Sequence, residues 1–156
     1  METKHATKEE TQLLEFQQLR AKEQRNVETI KKFFNIASNK EFDSWQNLCT
    51  EDFKLYMGSE KPISLDDVKP MAKMFYNAFP DYAYKIENCF ASNDNVAMQL
   101  LFTGTHKGNF QEIPATNNKI EYKSIQIYKF EGDKIHELHE IEDALTMMTQ
   151  IGLKLQ

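Results

Sequence analysis

The chain is predicted to be a single α+β domain, with helices packed on one face of an antiparallel sheet. Helical signals crowd into the first half of its 156 residues, and strand signals fill the second half. Two turn compositions, Ser92-Asn-Asp-Asn95 and Gly132-Asp133, divide the strand region into hairpins. The length suits one domain with a real core, and the 40% hydrophobic and 28% charged shares are those of an ordinary globular protein.

Thr7-x-x-Glu10 fits a capping box and opens a long helix running to Ala37. Val27, Ile30, Phe33, Phe34 and Ala37 have the helical spacing of a core-facing stripe. Leu13, Leu14, Phe16 and Leu19 form a separate group beyond a polar gap at Arg20–Asn26, which offers almost nothing to bury. Residues 1–25 are therefore expected to be an N-terminal helical extension, and 26–156 the folded domain. A short helix over 41–48 carries Trp45, and Phe53–Met57 reads as a strand. Ser64-x-x-Asp67 begins a helix in which Pro70 either makes a kink or marks the regular start. Strands follow at 82–90, 96–103, 119–130 and 134–141. The run 144–151, closed by Gly152, is a terminal helix.

Net charge is −5 and no Lys/Arg cluster exceeds a pair, so the chain lacks what a phosphate backbone requires and nucleic acid is not an expected partner. Cys49 and Cys89 have no CxxC grouping and read as free intracellular thiols. The N-terminal stretch has no apolar segment of the secretory kind, and no run approaches the ~18 apolar residues of a membrane helix. A soluble cytoplasmic protein without membrane partners is expected.

From Asn39 onward a series of landmarks occurs in order: Asn39-Lys-Glu-Phe-Asp43, Glu51-Asp52-Phe53, Phe79-Pro80-Asp81, Asn93-Asp94-x-Val96, Gly104-Thr105-His106-x-Gly108-x-Phe110, Ile113-Pro114-Ala115-Thr116, Gly132-Asp-Lys-Ile135, Glu137, and Asp143 followed by Gln150-x-Gly152. In this the chain resembles the SnoaL-like polyketide cyclase (ester cyclase) family of the nuclear-transport-factor-like superfamily. The resemblance implies a curved antiparallel sheet wrapped by N-terminal helices into a cone with an internal cavity, the cystatin-like shape. It also implies a homodimer formed through the sheet's outer face. Enzymes of the family close polyketide rings by an intramolecular aldol step, without a cofactor, using an acid at the position of Asp143. Two departures stand out: Tyr56 where relatives often carry His, and His139 where they commonly carry Trp.

Asp143 is the leading candidate for a catalytic acid/base. Free Asp titrates near ~3.9, so an apolar cavity would have to raise it toward neutrality. A helix N-cap is the competing reading of the same residue. His106, after Gly104-Thr105, is either a second cavity group or a rim histidine that closes the following connection. His139 would share a strand face with Ile135, Glu137, Ile141 and Asp143, but it stands roughly 13 Å from Asp143 along an extended strand and forms no dyad with it. His139 and Tyr56 are expected to bind ligand. Gln126 and Tyr128 would provide polar anchors, and Phe34 and Trp45 apolar walls. On a strand His136 and His139 point to opposite faces, which argues against a metal. The expected function is a small-molecule cavity protein, best read as a cofactor-free cyclase or isomerase acting on a hydrophobic carbonyl compound. The alternative is a ligand-binding or association domain of the same fold.

Overall fold

The computed structural model describes residues 7–154. The first six positions of the expected extension and the last two of the expected domain lie outside that range. Helix α1 spans Lys8–Ser38 and opens with the capping box, Thr7 and Glu10 each bonding the other's backbone N–H. A 3-10 turn over Phe42–Asn47 leads into β1 (Cys49–Met57), a short β2 (Ile63–Ser64) and α2 (Leu65–Ala78). The Ser64 side chain caps α2, which continues through Pro70. Strands β3 (Ala83–Ser92), β4 (Asn95–Thr105), β5 (Lys119–Glu131) and β6 (Lys134–Glu142) follow, then the short helix α3 (Ala144–Gln150).

The six strands form one open sheet in the order β2-β1-β6-β5-β4-β3. β1 with β2, and each successive pair from β3 to β6, are antiparallel, as expected, but β1 lies parallel to β6, so the sheet is mixed. β4 and β5 alternate strictly between buried and open positions. Their inward residues, Val96, Met98, Leu100 and Phe102 against Ile120, Tyr122 and Tyr128, meet the Ile30, Phe33 and Phe34 stripe of α1. That face is the core, and the other is open.

The polar gap in α1 is not idle. Glu23 and Asn26 are buried, and both grip the β3–β4 turn. Glu23 Oε1 accepts from the Asn93 N–H at 3.1 Å, and Asn26 Nδ2 donates to the Asn93 carbonyl at 3.3 Å. Asn93 sits at φ +53°, so its backbone groups point away from the ladder and need outside partners. Hydrophobic periodicity cannot register side chains buried for this reason. Leu13, Leu14 and Phe16 remain exposed.

The decisive irregularity is in the β5–β6 hairpin. Glu131 pairs with Lys134 and Phe130 with Ile135, but Lys129 pairs with Glu137, so His136 is an extra residue. This bulge moves every later pairing on by one. Gln126 lies opposite Glu140 rather than His139, and Ser124 opposite Glu142.

Candidate functional site

Residues directly opposite in an antiparallel pair share a face. Ser124, Gln126 and Tyr128 face inward on β5, and the bulge therefore turns Leu138, Glu140 and Glu142 inward on β6. Together with α1, the 3-10 turn, α2 and β1 they enclose a cavity of about 200 Å³. Ten of its twenty lining residues are aromatic, and none is Lys, Arg or His. Met57 and Met71 are its two exposed lining residues and mark the mouth. A larger hollow of about 580 Å³ beside Asp133 is an open depression lined mainly by polar and charged residues of α1.

The polar groups of the cavity form two linked sets. Tyr128 donates to Gln126 Oε1, and Gln126 Nε2 donates to Glu140 Oε1 at 2.5 Å. Ser124 Oγ donates to the same oxygen at 3.0 Å. These donors favour the ionised Glu140, yet burial prevails and lifts its carboxyl above the ordinary glutamate value. In the second set the Tyr82 and Tyr122 hydroxyls bond each other at 2.6 Å. Burial, then the charge of Glu140, push the Glu142 carboxyl up to about 7, against an opposing hydrogen bond from Tyr122. Burial also drives both phenols far above the ordinary tyrosine range, so they remain protonated donors. Two like-charged carboxyls on one strand face, one of them titrating near neutrality, can take up and return a proton at physiological pH.

Four of the expected site residues belong to this cavity: Gln126, Tyr128, Phe34 and Trp45. Tyr56 and His139 do not. Their rings stack at 4.5 Å on the outer face, where His139 Nε2 also meets Glu137 Oε2 at 2.9 Å. His106 is buried away from the cavity beneath the β4–β5 connection. Its Nδ1 meets Thr116 Oγ1 at 3.0 Å, its backbone bonds Asn117 and Asn118, and its ring lies on Phe79. Desolvation lowers its pKa and favours the neutral ring. These contacts suit a histidine that closes a loop.

Asp143 is exposed and caps α3, its Oδ1 accepting from the Thr146 N–H at 3.1 Å. That bond holds its carboxyl below the usual aspartate value, opposite to the rise expected of a cavity acid. The bulge is the physical reason, because Asp143 has the outward parity. Replacing Asp143 with Asn should leave stability nearly unchanged, whereas Asp143→Ala should lower the midpoint of a urea melt. A loss with Asn as large as that with Ala would contradict the capping role.

Glu140 and Glu142 do not stand out in the sequence, because unbulged counting turns them outward. The available signal was the β5 partner row: Ser124, Gln126 and Tyr128 are polar residues at buried positions and demand polar partners opposite.

The family model for SnoaL-like polyketide cyclases matches residues 26–151. A candidate SnoaL-like polyketide cyclase from Jannaschia sp. CCS1 superposes with a TM-score of 0.76 at 22% identity, covering 85% of this chain and 95% of that one. A candidate polyketide cyclase from Bacillus cereus ATCC 10987 gives 0.70 at 26% identity, with 84% and 83% covered. The candidate polyketide cyclase IdmH from Streptomyces antibioticus gives 0.71 at 19% identity, with 82% and 99% covered. No curated protein matches the chain.

Proposed function

The chain belongs to the SnoaL-like polyketide cyclase family, and from that premise we propose that it is a cofactor-free cyclase or isomerase acting on a small hydrophobic carbonyl compound. Glu142 is the general acid/base and Glu140 its partner. The observation that carries this reading is the Glu142 carboxyl, pushed up to about 7 within an aromatic-walled cavity. A base of that strength is matched to removing a proton α to a carbonyl at neutral pH. In an intramolecular aldol closure, ionised Glu142 takes the C–H proton, the resulting enolate carbon bonds to the second carbonyl carbon, and that oxygen takes up a proton. Once protonated, Glu142 can return that proton, so the same carboxyl serves as base and then as acid. The protonated Tyr82–Tyr122 pair beside Glu142 gives the developing charge a neutral donor. The test is deuterium exchange into a small ketone added to the protein in heavy water, followed by proton NMR. Exchange that depends on Glu142 is expected; its absence across a panel of cyclic and aryl ketones would leave a binding protein.

The expected assembly is a homodimer, for which the outer sheet face gives support. Phe90, Ala97, Ile127, His139 and Tyr56 are cross-strand neighbours in a continuous row, and Ile125 and Ile141 pair beside it. Phe90 is 71% exposed and Ile141 64%, an unusual outlay of apolar surface on one face. Light scattering at micromolar concentration should give twice the 18.3 kDa chain mass, and Ile127→Glu should return it to the single chain. A parent that scatters as a monomer would rule this assembly out.

A further inference from the structure

We propose that the ligand of this cavity carries a positively charged nitrogen, an amine or ammonium group seated between the carboxyls of Glu140 and Glu142, with its apolar body against the aromatic walls. The inference rests on reading the cavity as a ligand site, and it adds the ligand's charge. Buried carboxylates in proteins are ordinarily paired with a cation or bound to a metal. Here the influences acting on Glu140 are burial and neutral donors, and those on Glu142 are burial, the charge of Glu140 and the Tyr122 hydroxyl, with no basic side chain among them. Both protein donors to Glu140 converge on Oε1, which leaves Oε2 free for a ligand.

The rest of the wall selects among cations. Ten aromatic side chains surround two carboxyls, and ring faces attract a desolvated cation. Among the described residues no group of three His, Cys, Asp or Glu is arranged to hold a metal ion. A hydrated metal would also have to shed most of its water to enter walls that are half aromatic. An anionic ligand would meet two carboxyls and nothing to neutralise it. The positive nitrogen would also favour ionised Glu142, so a carbonyl substrate carrying an amine would prepare its own base.

Calorimetry with three probes of similar size tests the idea: 2-phenylethylamine, 2-phenylethanol and 3-phenylpropionate. At pH 8 the amine should bind at least ~10-fold more tightly than the alcohol, and the propionate should not bind. The amine stays charged down to pH 5.5, so loss of its advantage there reports protonation of the protein's carboxyls. At pH 7, titrations in buffers of different ionisation heat should show release of up to about half a proton per amine, because Glu142 titrates at about 7. Glu142→Gln should remove most of the amine's advantage and leave alcohol binding in place. An alcohol that binds as tightly as the amine, a propionate that binds, or an amine that gives no binding heat at millimolar concentration would each overturn the proposal. If Glu142→Gln does not fold, the three-probe comparison on the unaltered chain decides. Ketone exchange without amine preference would defeat this inference alone, whereas amine binding without exchange would defeat only the proton-transfer reading.

Discussion

Glu142→Gln is expected to lower proton exchange by ~10² or more and, above pH 7, to make the protein more stable. In the folded state the carboxyl is raised from 4.5 to about 7, so the folded protein holds this proton more tightly than the unfolded chain does. The stability tied to it is complete below pH 4.5 and is lost as pH rises through about 7. A rise of that size corresponds to a ceiling of roughly 3 kcal/mol, which partial access to solvent trims to about two-thirds. Gln keeps the shape and never ionises, so the variant should be about 2 kcal/mol more stable than the parent at pH 8.5 and indistinguishable from it at pH 4.5. Urea melts at the two pH values measure the difference, and the parent's exchange rate should climb through pH 7 to a plateau. Equal stability at both pH values, together with an unchanged exchange rate, would remove Glu142 from the mechanism.

Trp45→Ala should be among the most damaging single changes, costing about 3–5 kcal/mol. Trp45 is 3% exposed, stacks on Phe33 at 4.4 Å and meets Phe42 at 5.2 Å. Its Nε1 donates to the Phe33 carbonyl at 2.8 Å, a helical oxygen that truncation would leave without this donor. For a domain of this size such a loss lowers the melting temperature by roughly 10 °C. Trp45→Phe keeps the stacking and gives up only the hydrogen bond, so it should retain most of the stability. A Trp45→Ala protein melting within 1 kcal/mol of the parent would show that the wall is filled by collapse of its neighbours.

What could be read in advance followed from how locally each feature is encoded. Gly132-Asp133 marks its own hairpin, and the KIEYKSIQIYKF run alternates so regularly that the inward placement of Gln126 and Tyr128 needs no structure. β6 defeats the same reasoning, because it carries polar residues on both faces. Glu137 and His139 are as plausible inside as Glu140 and Glu142, and only the extra residue at His136 decides between them. The parallel pairing of β1 with β6 joins segments some eighty residues apart and leaves no local mark. Glu23 and Asn26 escape pattern reading for a related reason: their burial answers a turn sixty-seven or more residues away.

The bulge at His136 also bears on how this pocket could change in descent. Strand β6 holds two complete sets of side chains, Leu138, Glu140 and Glu142 on one side and Glu137, His139 and Ile141 on the other. Substitution alters a binding site one group at a time, but loss of one codon near the hairpin would exchange the whole set, bringing an imidazole in and sending the paired acids out. A lineage could thus pass from carboxylate to histidine chemistry in one step with every other wall of the cavity kept. Sequences aligned to this one should therefore be compared by the length of the segment between Gly132 and Leu138 before their active-site letters are compared at all.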